Sequence, residues 1–87
     1  MKNILARELI GIRAEIAVSK NRSLAGISGI IVDETKNTLT LETKNGRKKL
    51  IKNQSTLLLY IDGKKIMVDG KLLVARPEDR IKIREQK

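Results

Sequence analysis

Tight-turn signals cut this chain into pieces too short for ordinary helices. Asn45-Gly46 is the strongest of them, the dipeptide that best accepts the two left-handed residues of a type I′ hairpin turn. Asp62-Gly63 and Asp69-Gly70 read as two further tight turns. Thr35-Lys36-Asn37-Thr38 reads as another, with Asn37 suited to the left-handed conformation.

Between these breaks the apolar residues alternate. Ile12, Ala14, Ile16 and Val18 interleave with Arg13, Glu15 and Ala17, which buries one face of a strand. Gly26 to Val32 forms a second strand, and its two glycines predict a bend or bulge. Leu39 and Leu41 alternate with Thr38, Thr40 and Glu42, and Arg47 to Lys52 returns as a strand whose charge places it at an edge or on a binding face. Leu57 to Ile61 reads as a strand covered on both faces. Ile66-Met67-Val68, Leu72-Leu73-Val74 and Arg80 to Arg84 complete the set, the last after an interruption at Pro77-Glu78-Asp79. Only residues 3–10 suit a helix, capped by Asn3, striped by Ile4, Leu5 and Leu9, and ended by Gly11. About six to seven short strands, with turn signals every 8–12 residues or so, predict a small all-β antiparallel barrel with a short N-terminal helix. Closure is favoured because open edges on so small a sheet invite association. The expected division is a helical extension over 1–10, a barrel over 11–84 and a tail over 85–87.

The core has to be aliphatic: Phe and Trp are absent and Tyr60 is the single aromatic residue. Ile and Val favour strands because their stiff side chains fit a pleated surface. Charge is the other strong feature. Nineteen Lys plus Arg against 10 Asp plus Glu give a formal net charge of +9. Residues 1–43 carry 6 basic and 5 acidic residues, and residues 44–87 carry 13 and 5. Such an excess attracts polyanions, and nucleic acid is the leading partner class.

Several chemistries lose their usual residues. There is no Cys for a disulfide or a thiolate metal site, and no His to serve as ligand or general base. Asp33-Glu34 and Glu78-Asp79 are the only adjacent carboxylate pairs. Neighbours on a strand point to opposite faces, so Asp33 and Glu34 would not converge on one ion, and Glu78-Asp79 suits the first turn of a helix after Pro77. No catalytic residue and no protein-bound cofactor or metal is expected. No apolar run approaches a membrane span, and the charged start lacks a signal-peptide core, so a cytoplasmic location is expected.

Candidate binding residues come from the basic clusters. Arg47 and Lys49 lie across a tight turn from Lys44, and Lys82 follows Arg76 and Arg80 around Pro77. Arg13 and the polar, basic loop containing Lys20 and Arg22 add to them. Lys supplies a point charge to phosphate and Arg a planar fork. Single-strand readers stack bases on aromatic side chains, and one tyrosine cannot build that platform. Recognition through shape, phosphates and 2′-hydroxyls follows, with duplex DNA still open.

Certain blocks are specific in combination. Glu8-Leu9-Ile10-Gly11, Ser19, Gly26-Ile27-Ser28-Gly29, Val32 to Leu39, Lys52 and Arg76-Pro77-Glu78-Asp79-Arg80-Ile81-Lys82 occur in an order and spacing that resembles the protein component 1 family of archaeal ribonuclease P, homologues of a eukaryotic Pop/Rpp subunit. The resemblance covers roughly residues 8–84. It implies a Sm-like, SH3-like barrel that binds the catalytic RNA of ribonuclease P and supports 5′-leader removal from precursor tRNA. It further implies that the RNA performs the Mg²⁺-dependent hydrolysis, and that the protein works beside other subunits, notably a zinc-ribbon subunit. By position the family's motif residues fall on Ser19, Lys36, Asn37, Lys52, Arg76 and Arg80. Thr35 and Thr38 serve either that site or the turn alone. Ile4, Leu5 and Leu9 are the candidate contacts to a protein partner. The family's usual phenylalanines are replaced here by Leu57-Leu58-Leu59-Tyr60-Ile61. The alternatives are a general Sm-like, ribosomal or chromatin-type barrel binding nucleic acid without that partner, and an adaptor whose basic face meets an acidic protein.

Overall fold

The computed structural model describes residues 8–74. Six strands follow one another: β1 Arg13–Ser19, β2 Ser28–Glu34, β3 Thr38–Thr43, β4 Gly46–Ile51, β5 Ser55–Ile61 and β6 Lys64–Asp69. All neighbours are antiparallel, in one sheet ordered β4-β3-β2-β1-β5-β6. Single 3-10 turns occupy Arg22–Leu24, Lys52–Gln54 and Gly70–Leu73.

The connectivity forces the sheet to roll. β4 is the edge strand, yet only the three residues Lys52–Gln54 separate it from β5, four places across the sheet. So short a link cannot cross a flat sheet, in which neighbouring strands lie about 4.8 Å apart. The sheet curls until the end of β4 meets the start of β5, and the inward faces close on one another. Ala14, Ile16, Ile31, Leu39, Leu41, Leu50, Leu57 and Leu59 are all fully buried there. The result is a small antiparallel β-fold of barrel type. Among the described residues β4 and β6 share no ladder, so the closure expected of the barrel is not made by strand pairing.

Several local expectations change. Residues 8–10 carry no helix: Leu9 is buried and its carbonyl accepts the Ile12 amide in a turn, and residues 3–7 of the helix expected over 3–10 lie outside the described residues. Val18 leaves the buried alternation at 61% exposure, because the β1–β5 register shifts between Ile16 and Val18. β5 is buried on one face and half-buried on the other, so the expected cover on both faces is not found among the described residues. The bend expected of the paired glycines includes a close approach, for a Cβ on Gly29 would meet the Glu42 backbone carbonyl.

The turns are redistributed most. At Asn45-Gly46 the loop is Lys44-Asn45, and Gly46 takes φ +98° as the first residue of β4, paired with Thr43. A positive-φ Gly following two ordinary turn residues is a bulged hairpin, not type I′. Asp62 (φ 53°) and Gly63 (φ 78°) form the pair of left-handed residues instead. Asn37 is not left-handed; Thr35 and Thr38 close that turn through their hydroxyls, 2.6 Å apart. The Asp69 carboxylate accepts the Lys71 amide at 3.0 Å and starts the 3-10 turn Gly70–Leu73, where a strand over 72–74 was expected. The expected strand over 80–84 lies outside the described residues.

Candidate nucleic-acid interface

The Lys52–Gln54 turn gathers segments from across the chain. The Lys52 amide donates to the Asn37 carbonyl at 2.8 Å, which brings in the β2–β3 turn. The Lys20 amide donates to the Gln54 carbonyl at 3.0 Å, which brings in the loop after β1. Gly70 packs beneath, where a Cβ would collide with the Lys52 and Ser55 carbonyl oxygens. Three connections that are remote in sequence therefore meet at one end of the rolled sheet.

Their side chains are mostly polar and outward. Lys36, Asn37, Lys20 and Arg22 are exposed, and Ser19 is half-buried with its hydroxyl accepting the Asn21 amide at 3.1 Å. Asn21 caps the Arg22–Leu24 turn through Ser23, which fixes where Arg22 leaves the surface. Lys71, exposed on the 3-10 turn packed against this end, is a further cation that sequence reasoning missed. Its signal was the Asp69 cap, read only as a tight turn.

Arg47 and Lys49 sit on the exposed side of edge strand β4, running towards the same turn. Arg47 is held by Glu42 at 2.9 Å, with the two side chains 68% and 48% exposed. A solvated pair of this kind contributes only about 0–1 kcal/mol, so a phosphate displaces Glu42 at little cost. Arg13 stands apart. It lies at the opposite end of β1 from Ser19, between Ile30 and Tyr60 on the neighbouring strands. Tyr60 is half-buried, donates to Glu15 at 3.4 Å and lies 5.8 Å from the Lys65 ammonium, so its ring is already engaged.

Lys52 is the main correction. Expected as an RNA-facing cation, it has no exposed surface. Its ammonium donates to Glu34 Oε2 at 2.7 Å, the Thr35 carbonyl at 2.7 Å, the Lys36 carbonyl at 3.2 Å and the Leu73 carbonyl at 3.0 Å. Three N–H bonds already face these four acceptors among the described residues, and none is left for a ligand. Leu9 is a second correction: buried in the core, it cannot contact a protein partner. Arg76, Arg80, Lys82, Ile4 and Leu5 lie outside the described residues. As alternation required, Asp33 is exposed and Glu34 buried, and among the described residues no three His, Cys, Asp or Glu side chains gather as a metal would need. No described helix is long and apolar enough to cross a membrane.

A rolled antiparallel sheet with an aliphatic core and with Lys20, Arg22, Lys36 and Lys71 exposed on the segments that meet at the Lys52–Gln54 turn defines a small basic fold of barrel type suited to polyanions. Comparison with known proteins is more specific. The profile of the family described as ribonuclease P/MRP, subunit p29, matches residues 2–83. Ribonuclease P protein component 1 of Methanocaldococcus jannaschii is 48% identical over 81 residues, covering 92% of this chain and 85% of that protein. The protein of the same description from Thermofilum pendens is 47% identical over 85 residues, covering 95% and 90%. A solved structure described as Mth11, a homologue of human RNase P protein Rpp29, superposes with a TM-score of 0.62 at 43% identity, covering 86% of this chain and 99% of that one. The chain belongs to the ribonuclease P/MRP subunit p29 family.

Proposed function

We propose that this protein is a non-catalytic subunit of ribonuclease P that binds the enzyme's RNA and supports 5′-leader removal from precursor tRNA. The observation that carries the reading is the meeting of Lys20, Arg22, Lys36 and Asn37 around the Lys52–Gln54 turn, in a member of this family. An exposed set of cations and amides from several loops suits the phosphates of a folded RNA, whose grooves are recognised through shape and backbone. Tyr60, half-buried and engaged, offers no stacking platform. Mg²⁺ for the hydrolysis belongs on the RNA, contact with precursor tRNA is indirect, and a zinc-ribbon subunit is the proposed protein neighbour. The work is carried out in the cytoplasm.

Footprinting of the ribonuclease P RNA with purified protein, together with processing assays on the reconstituted enzyme, tests this. Protection of discrete RNA segments and a gain in processing are expected. Neither effect, with the other subunits present, overturns the proposal. Equal affinity for this RNA, unrelated RNA and duplex DNA at one salt concentration points instead to a general nucleic-acid-binding barrel.

A further inference from the structure

Burying an ammonium is costly unless its hydrogen bonds are made, and an apolar residue of similar size often serves stability as well. Lys52 therefore calls for an account of what its bonds accomplish. It turns the Thr35 and Lys36 carbonyls inward through its side chain and the Asn37 carbonyl through its own amide. The described peptide bonds are all trans, so each unit's N–H points opposite to its C=O. Three carbonyls drawn towards Lys52 send the amides of Lys36, Asn37 and Thr38 outward. The Thr35 hydroxyl accepts the Thr38 amide at 3.1 Å. Among the described residues the Lys36 and Asn37 amides make no intramolecular hydrogen bond, and both residues are exposed.

We infer that Lys52 is a positioning residue, and that the turn it holds receives an RNA phosphodiester on the Lys36 and Asn37 amides, with the Lys36 ammonium beside them. Successive amides directed to one side form an anion-binding concavity of the kind found in phosphate sites. The inference deepens the RNA-binding reading and rests on it. It also gives the motif lysine at 52 a part in binding without contact.

The test is an NMR titration of the ¹⁵N-labelled full chain with a short RNA duplex at low salt. The amide resonances of Lys36 and Asn37 should shift to saturation and return when salt is added. In Lys36→Ala the same amide shifts should persist with binding weakened about threefold, the loss of one exposed charge contact. In Lys52→Met, provided the Ala14 and Leu59 resonances report an intact sheet, the shifts at 36 and 37 should vanish while those near Arg47 and Lys49 remain. If Lys52→Met fails to fold, the wild-type and Lys36→Ala titrations decide. Binding confined to other residues, or amide shifts lost in Lys36→Ala, overturns the inference and leaves RNA binding standing. No binding anywhere overturns both.

Discussion

A lysine without exposed surface stands where the sequence offers only a run of cations. Arg47, Lys48, Lys49 and Lys52 look alike in one dimension, and nothing in a charge run marks the member that turns inward. What singles out Lys52 is tertiary: the Glu34 carboxylate and the carbonyls of Thr35, Lys36 and Leu73 come from segments 16 to 21 residues away. Lys52→Met takes the ammonium away from the buried Glu34 carboxylate, and a loss of about 3–5 kcal/mol is expected in denaturant titration. The double variant Glu34→Leu/Lys52→Met should recover part of that loss and not all of it, because the bonds from the ammonium to the three carbonyls are still lost. Full recovery would show that the carbonyl bonds contribute nothing. Gly70→Ala should destabilise by about 1–3 kcal/mol, since the new methyl meets two backbone carbonyls that cannot step aside as a side chain would.

At the scale of elements, strands were more legible than turns. Alternation located β1 and β3, because an aliphatic core on a half-buried sheet imposes a period of two, while β2 and β5 were marked by short apolar runs. It failed at Val18, where a bulge absorbs one residue and reverses the phase. Turn dipeptides marked the hairpins and misjudged their type. Asn45-Gly46 and Asp62-Gly63 look equivalent, yet only the second places two residues at positive φ. Asp69-Gly70 differs again, because the Asp69 carboxylate finds the Lys71 amide and starts a 3-10 turn. Gly46→Ala and Gly63→Ala should each cost about 1 kcal/mol in thermal or denaturant unfolding, the penalty of a Cβ in the left-handed region. An unchanged midpoint in both glycine variants would contradict the turn assignments.

The whole molecule joins an aliphatic rolled sheet to a lopsided charge. Net charge pointed to polyanions as the class of partner, but the proposed site needed the roll, which brings the loop after β1, the β2–β3 turn and the Gly70–Leu73 turn to one place. Lys71 was invisible as a member for that reason, and Arg13 and Lys52 were counted among the RNA-facing residues on charge or motif position. The central claim is that cations around the Lys52–Gln54 turn hold the phosphates of ribonuclease P RNA. The direct test is the affinity of the full chain for that RNA across a salt series, compared with a Lys20→Ala/Arg22→Ala/Lys36→Ala variant shown to be folded. Each lost phosphate contact lowers the slope of log affinity against log salt by ~0.7–0.9, so a fall of about 2–3 is expected. Equal affinity and an equal slope for the two proteins would contradict the claim.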